Sequence, residues 1–218
     1  MDFRWDLIAE YAPLFLKGTL VTIGLSVAGI IIGSILGLFI GLGKMMRKKL
    51  WALPFNWYIN FFRGTPLMVQ ILLIHFAVVP VFLGTTNAIV AAILALSLNS
   101  AAYVAEIFRA GIQSIDKGQM EAARSLGMTH GQAMRFVILP QAIKRMIPPL
   151  GNEFIVLIKD SSLAALIAAP ELMYWGRAMQ GQYMRPWEPY LTAAVIYLVL
   201  TLSLNFLLNR IERRLATE

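Results

Sequence analysis

Residues 120–140 read M-E-A-A-R-S-L-G-M-T-H-G-Q-A-M-R-F-V-I-L-P, a polar run between two apolar stretches of membrane length. Glu121, Ala122 and Ala123 begin a short helical pattern. Gly127 is expected to end it, because glycine readily adopts the left-handed conformation found at many helix ends. A helix this short is marginal in water. The pattern therefore predicts a helix that rests on a protein surface, and alone it also fits an ordinary amphipathic loop helix between two spans.

The overall composition is that of a polytopic membrane protein. Of the 218 residues, 58% are apolar and 14% are charged, and the mean hydropathy is +0.67. Soluble domains average about 45–50% apolar and about 25% charged residues. The length suits one all-α transmembrane domain over residues 1–218, with no room for a second, catalytic domain. With no cysteine, the chain has no disulfide, thiolate metal site or cysteine nucleophile.

Five apolar stretches predict five transmembrane helices, each long enough to cross a hydrocarbon core of roughly 30 Å. Between the third and fourth spans lies the polar loop 111–146, which contains the E-A-A sequence. The approximate bounds of the spans are 18–43, 56–80, 88–110, 147–169 and 190–209.

The distribution of basic residues predicts the orientation. The segments assigned to the inner side hold thirteen Lys and Arg residues, among them Arg47 in the loop after the first span, and the outer segments hold four. Because basic residues accumulate in cytoplasmic loops, the N-terminus is expected outside and the C-terminus inside. The loop 111–146 then lies in the cytoplasm. The net charge of +7 is accounted for by these loops and needs no nucleic-acid partner.

Glycines recur every fourth residue in the first span, at Gly29, Gly33, Gly37 and Gly41. Such a smooth face lets another helix approach closely, either within the chain or in a second copy. The Gly43-Lys44 pair at the end of this span is not a phosphate-binding loop, because Leu38 and Met45 stand where the motif requires Gly and Ser or Thr. The chain is therefore not expected to hydrolyse ATP itself.

The loop sequence resembles the E-A-A loop of the membrane subunits of ABC importers, whose pattern is E-A-A, three residues, G, nine residues, I-x-L-P. Here Val137 replaces Ile, and Leu139 and Pro140 match. The resemblance implies a coupling helix that docks on a separate ATPase, which would hold ATP and magnesium. The residues it assigns to coupling are Glu121, Ala122, Ala123, Arg124, Leu126 and Gly127.

Three further stretches resemble the polar amino-acid permeases of the histidine/glutamine/arginine type. They are residues 62–70 (F-R-G-T-P-L-M-V-Q), residues 139–152 with their L-P-Q-A and P-P-L-G-N sequences, and residues 157–163 (L-I-K-D-S-S-L). The resemblance implies a type I ABC importer permease in a prokaryotic plasma (inner) membrane. It further implies a second permease subunit (the same chain or a sister chain), a cytoplasmic ATPase dimer, an extracytoplasmic binding protein and import by alternating access.

Charged residues inside spans are costly and mark candidate functional sites. Glu153 and Asp160 lie seven residues apart, on one face of the fourth span, and Asn99, Tyr103 and Glu106 share one face of the third. The interruption at residues 63–66 is expected to add free backbone groups, as in other transporter sites. The predicted substrate-binding residues are Glu153, Lys159, Asp160, Asn99, Tyr103, Thr65 and Leu67.

An amino acid carries an ammonium and a carboxylate, for which Asp160 and Lys159 are the expected counter-charges. Glu153 is then free to receive a cationic side chain such as that of arginine, lysine or histidine. The alternative is that these charges pair with one another and only hold the bundle together. Structural or gating roles are predicted for Arg63, Pro66, Glu106 and Arg109.

Other classes of function fit the sequence less well. An ion-coupled secondary amino-acid transporter or a channel could use the same buried charges, but the chain is short for internal inverted repeats. A membrane hydrolase would need a Ser/His/Asp or paired-His arrangement, which is missing. His75 and His130 have no second ligand at metal spacing. No catalytic residue and no metal site are therefore predicted.

Overall fold

The computed structural model describes residues 3–46 and 48–216, and all regular structure within these ranges is helical, which confirms the predicted all-α class. Arg47 of the basic loop lies outside the described residues. A π-helical turn lies between α3 and α4, another between α7 and α8, and a 3₁₀ segment follows α8. The helices are α1 (Trp5–Lys44), α2 (Lys49–Gly64), α3 (Leu67–Leu73), α4 (Val79–Leu83), α5 (Ala88–Gln113), α6 (Lys117–Ser125), α7 (His130–Ala133), α8 (Leu139–Asp160), α9 (Leu172–Tyr183) and α10 (Trp187–Ala216).

Helix α1 is much longer than the predicted first span, which covers only its second part. Its 40 residues extend about 60 Å at 1.5 Å per residue, roughly twice the hydrocarbon thickness. In the first part, Leu7, Tyr11 and Phe15 form a separate apolar cluster with Leu172 and Met179 of α9. The beginning of α1 therefore belongs to a cap on the predicted outer side of the bundle.

The glycine stripe of α1 packs against α5 of the same chain. A Cβ atom placed on Gly33 would lie 2.9 Å from Cβ of Ser100, and one on Gly37 would lie 2.8 Å from Cβ of Val104. Real side chains do not tolerate such distances without a shift of the neighbour. The stripe therefore serves packing within the chain, which is the first of the two alternatives that the sequence left open.

The second predicted span contains a sharp break. Helix α2 ends at Gly64, the following helical segment begins at Leu67, and the two axes differ in direction by 107°. Pro66 has no N–H with which to continue the α2 ladder, and it favours the extended conformation seen at Thr65 (φ −119°, ψ 148°). The interruption was expected at this place.

The helix α8 begins at Leu139, eight residues before the predicted fourth span, and a 3₁₀ segment, Ser161–Ile167, completes it. Glu171 follows and is fully buried at the start of α9. Its carboxylate accepts hydrogen bonds from Thr22 Oγ1 of α1 (3.3 Å) and Tyr197 Oη of α10 (2.8 Å). One carboxylate thus fixes the positions of three helices relative to each other.

Among the described residues, three helices are long and apolar enough to cross a membrane: Trp5–Lys44, Ala88–Gln113 and Trp187–Arg214. The bent pair Lys49–Gly64 and Leu67–Leu83 brings the number to four if it counts as one crossing. Helix α8 is too highly charged to be counted with them. It carries Lys144, Arg145, Glu153, Lys159 and Asp160. The count of five crossings and the orientation stay predictions.

Replacement of Gly37 by Leu should destabilise the bundle, because the added side chain meets Val104 and the Ala101 carbonyl at 2.8–2.9 Å. Overpacking of this kind costs about 1–3 kcal/mol. The measurement is the midpoint of thermal aggregation of the detergent-solubilised protein, followed by size-exclusion chromatography. Gly24→Leu is the matched control, since nothing lies within 4 Å of a Cβ at Gly24. Equal losses in both variants would contradict the packing role.

Candidate substrate site and coupling surface

A cavity of about 460 Å³ lies between the broken span and helices α5 and α8. Small-molecule sites usually have volumes of about 300–1,000 Å³. Six of the seven predicted substrate-binding residues line this cavity, which we call the acidic cavity. Its lining consists of Thr65, Pro66, Leu67, Asn99, Tyr103, Asn152, Glu153, Val156 and Asp160.

Two carboxylates define the charge of the acidic cavity. Glu153 is only 8% exposed, and Asp160 lies two turns further along α8 on the same side of the cavity, as the spacing predicted. Asp160 is the last residue of α8, where the helix dipole favours cations over anions. Among the described residues, neither carboxylate has an ion-pair partner within 4 Å. A cation is the ligand that such a pair of acids favours.

Lys159 lies outside this arrangement. Its side chain is exposed and it is not part of the lining of the acidic cavity. Lys159, predicted as the counter-charge of the substrate carboxylate, therefore lies outside the lining of the acidic cavity, and among the described residues no ion pair within 4 Å joins it to Glu153 or Asp160.

Two side-chain amides brace the break in the second span. Gln70 Nε2 donates to the carbonyl oxygens of Phe62 (2.9 Å) and Thr65 (3.0 Å), and also to Thr65 Oγ1 (2.9 Å). Asn99 Nδ2 of α5 donates to Gln70 Oε1 (2.9 Å) and to the Phe62 carbonyl (3.3 Å). The carbonyls released by the break are thus satisfied inside the protein, and the Asn99 amide nitrogen is used for bracing.

The backbone N–H groups at the start of α3, unlike the carbonyls at the end of α2, are not bonded by the bracing amides. Val69 N–H is the first to find a backbone acceptor, the Pro66 carbonyl at 3.0 Å. The N–H groups of Leu67 and Met68 come before the first turn is closed, as at the start of any helix. Leu67 lines the acidic cavity, so this helix start borders the cavity. Helix starts that border a cavity favour negatively charged ligand groups.

Gln70 is the functional residue that the sequence interpretation missed. The motif of residues 62–70 includes it without giving it a role. The sequence signal for its role is that it is the single amide in an otherwise apolar helix, L-M-V-Q-I-L-L. Gln70 is 3% exposed, and a buried amide needs hydrogen-bond partners.

A second cavity of about 530 Å³ adjoins the first on the side of the α5 C-terminus, and we call it the vestibule. Tyr103, Asn152 and Glu153 line both cavities. The two volumes therefore share walls, and the vestibule lies towards the predicted cytoplasmic side. The remaining residues of its lining are Arg63, Glu106, Ile107, Ala110, Gly111, Ser114, Arg145 and Pro149.

A charged cluster centred on Glu106 borders the vestibule. Lys44 Nζ, at the end of α1, lies 2.5 Å from Glu106 Oε1, and Arg109 Nη2 lies 2.8 Å from Oε2. Arg63 is more loosely placed, with Nη1 4.0 Å from Oε2 and its guanidinium 5.2 Å from the centre of the Tyr103 ring. Glu106 and Arg109, for which structural or gating roles are predicted, are therefore in contact. Lys44 also takes part and connects α1 to α5.

The E-A-A segment forms α6, which begins at Lys117, four residues before the predicted start. Asp116 caps it by accepting from the Gly118 N–H. Helix α6 ends at Ser125, and Gly127 has a φ of +86°, the left-handed conformation expected there. Beneath it, Met120 packs on the apolar cluster of Ile115 and Ile138, so the helix does rest on a protein surface.

The residues predicted to couple to the ATPase point in two directions. Glu121, Ala122, Arg124 and Gly127 are exposed, and Leu126 is 82% exposed. Ala123 is buried and contributes instead to the seating of α6 on its own chain. A large exposed apolar side chain such as Leu126, directly after a short polar helix, is a feature of interaction surfaces.

The described residues contain no group of three or more His, Cys, Asp or Glu side chains that could hold a metal ion. His75 is buried in the π-helical turn after α3, and His130 is exposed at the start of α7.

The domain is all-helical, has a polar cavity among its spans and carries an exposed helix on its predicted cytoplasmic loop. These features are typical of the membrane subunit of a transporter. Residues 29–217 match the family described as the binding-protein-dependent transport system inner membrane component. The chain belongs to this family. It is an amino-acid permease subunit of an ABC importer in the inner membrane and is not itself the ATPase subunit. The family implies a partner ATPase and a binding protein.

Similar curated proteins are amino-acid permeases over their whole length. The arginine transport system permease protein ArtQ of Bacillus subtilis (strain 168) is 42% identical over 224 residues, covering 100% of both chains. The glutamine transport system permease protein GlnP of Escherichia coli (strain K12) is 38% identical over 216 residues, covering 99% of both. The resemblance seen in the sequence motifs is thereby confirmed.

Solved structures agree with the fold. A chain of an amino acid ABC transporter crystallised with histidines superposes with a TM-score of 0.92 at 46% identity, covering 98% of this chain and all of that one. A chain of the MetNI methionine ABC transporter in an inward-facing conformation gives a TM-score of 0.81 at 23% identity, covering 94% of this chain and 98% of that one. The predicted type I importer permease fold is confirmed.

Replacement of Gln70 by Leu should lower stability, because it leaves the Phe62 and Thr65 carbonyls without their amide donor. An unsatisfied buried polar group costs about 1–3 kcal/mol. The thermal midpoint of the purified protein measures the loss. Asn60→Leu provides the matched control, since Asn60 is an exposed amide on the neighbouring helix. A Gln70→Leu protein as stable as this control would show that the brace is dispensable.

Proposed function

We propose that this permease imports a cationic amino acid, such as arginine, lysine or histidine, through the acidic cavity. The observation that carries the proposal is the presence of Glu153 and Asp160 in one cavity without a basic side chain among its lining residues. Two carboxylates at membrane depth are costly unless a cation neutralises them. A cationic amino acid supplies two positive groups, its side chain and its α-ammonium.

The residues around the two acids have complementary roles in this proposal. Glu153, the more deeply buried acid, also borders the vestibule and receives the α-ammonium group, and Asp160 receives the cationic side chain. Tyr103 offers an aromatic ring and a hydroxyl at the border with the vestibule. The start of α3, at Thr65 and Leu67, provides backbone N–H groups for negatively charged or polar atoms. Pro66 shapes this start, and Asn99 holds it in place.

The similar proteins support a basic substrate. The Bacillus subtilis relative is an arginine permease by name, and the structure with a TM-score of 0.92 was obtained with histidines. The relative from Escherichia coli is a glutamine permease, so glutamine is the neutral substrate against which the proposal has to be tested.

A second permease subunit, either this chain or a sister chain, completes the membrane part of the importer in our proposal. Lys159 of α8 is exposed on a polar face in the membrane region and lines neither cavity. Charged and amide side chains at that depth face a protein or an aqueous path and avoid lipid. The exposed polar face therefore suits the side at which two permease subunits meet.

Transport is driven by a cytoplasmic ATPase dimer that holds ATP and magnesium. Helix α6 docks on this partner through Glu121, Ala122, Arg124, Leu126 and Gly127, while Ala123 secures α6 to the permease. Binding of ATP turns the permease outward, towards an extracytoplasmic binding protein, and hydrolysis resets it. The cluster of Arg63, Glu106 and Arg109 then serves as a gate on the cytoplasmic side.

Replacement of Glu153 by Gln or of Asp160 by Asn should reduce arginine uptake at least about tenfold, because hydrogen bonds to charged groups contribute about 1.5–3 kcal/mol. Uptake is measured with the importer reconstituted in vesicles with its ATPase and binding protein. Glu212→Gln, an acid-to-amide change near the end of α10, is the control and should leave uptake unchanged. A parent that prefers glutamine, or that responds to an ion gradient without ATP, would contradict the proposal.

Replacement of Gly127 by Asp should weaken the association with the ATPase about tenfold, equivalent to roughly 1.4 kcal/mol. The φ of +86° is strained for any residue with a Cβ, and the added charge changes the exposed end of α6. Magnesium-dependent ATP hydrolysis that copurifies with the permease is the measurement. Gly131→Asp adds the same charge at an exposed position in α7 and should retain activity. If both variants keep the parent's activity, α6 is not the docking element.

A further inference from the structure

We propose that Arg63 binds the α-carboxylate of the amino acid at the junction between the acidic cavity and the vestibule. This inference rests on the proposed function, because it requires an amino acid in the acidic cavity. It replaces Lys159, the basic residue that the sequence suggested for this role.

The first argument is position. Arg63 lies in the last turn of α2, directly before the break, and lines the vestibule together with Tyr103 and Glu153. Tyr103 and Glu153 also line the acidic cavity. The guanidinium lies 5.2 Å from the centre of the Tyr103 ring, so an aromatic ring common to both cavities holds it at their border. A molecule bound to Glu153 is therefore within the walls that Arg63 helps to form.

The second argument is unused hydrogen-bonding capacity. Glu106 is already bound closely by Lys44 at 2.5 Å and by Arg109 at 2.8 Å. The 4.0 Å between Arg63 Nη1 and Glu106 Oε2 is too long for a hydrogen bond. The guanidinium has five N–H donors, and the Arg63 side chain is 44% exposed. Among the described residues Arg63 thus has a charge nearby, but its donors remain available for a ligand.

The other basic residue of the vestibule differs in this respect. Arg145 Nη1 donates to the Ser114 carbonyl and so connects α8 to the end of α5. Within the described ranges, Arg63 is therefore the basic side chain of the vestibule lining that donates no hydrogen bond to the protein.

The third argument is the chemistry of the ligand. The carboxylate is the one group of a cationic amino acid that Glu153 and Asp160 repel. A guanidinium matches a carboxylate with two parallel N–H···O bonds, which an ammonium or an amide cannot reproduce. With acids on one side and Arg63 on the other, the two cavities together distinguish an amino acid from an amine of the same length. Arg63 would then determine specificity for amino acids as a class.

The test combines a substitution with a ligand that lacks the carboxylate. Binding of radiolabelled arginine to the purified permease–ATPase complex, without binding protein, is measured by equilibrium dialysis, and agmatine (decarboxylated arginine) is the competitor. Arg63→Gln should weaken arginine binding about tenfold or more and leave agmatine binding unchanged. Arg63→Lys should retain part of the arginine affinity, because it keeps the charge and loses the paired geometry. Lys159→Gln, at the residue that the sequence suggested for the carboxylate, is the comparison variant, and it should not distinguish between the two ligands.

The outcomes separate the possible roles. A structural role of Arg63 would weaken arginine and agmatine equally, and that result would overturn the inference. A selective loss of arginine binding in Lys159→Gln would return the carboxylate to Lys159. If the parent binds glutamine and not arginine, the cationic substrate is wrong, and the same comparison with glutamine and 4-aminobutanamide then tests Arg63 independently. A parent complex that binds neither amino acid contradicts both proposals.

Discussion

A backbone inside a membrane domain has to satisfy its own hydrogen-bonding groups, and the break at Thr65–Pro66 shows how this chain meets that constraint. Without water, each unpaired carbonyl costs several kcal/mol. Gln70 and Asn99 supply the missing donors and connect the broken span to α5. The turn of 107° is thereby made into a fixed feature. The acidic cavity exists because the chain turns away at this point and leaves room beside α8.

The charges of the site are divided between two neighbouring spaces. Glu153 and Asp160 face the acidic cavity, while Arg63 and the cluster around Glu106 lie by the vestibule. Separation of unlike charges is energetically unfavourable in a medium of low dielectric constant. A ligand that carries both signs would contact both groups of charges, as the proposed amino-acid substrate does.

Sequence reasoning predicted the helical class, the break before Pro66 and the pairing of Glu153 with Asp160 on one side of α8, because each depends on local chemistry or helical period. It failed where the answer depends on tertiary contacts. Adjacent residues on a helix point about 100° apart, yet nothing local shows that Lys159 turns outward while Asp160 faces the cavity. Gln70 likewise acquires its role only when α3 folds back against α2.

The buried carboxylate of Glu171 has a mechanical consequence. It bonds α1, the start of α9 and α10 to one another, while Lys44 and Glu106 fasten the end of α1 to α5. Helix α1 is thus held at Thr22 near its middle, along its glycine stripe and at its last residue. In the proposed import cycle, motion is therefore expected in elements outside this fixed frame, among them the part of α8 that carries Glu153 and Asp160.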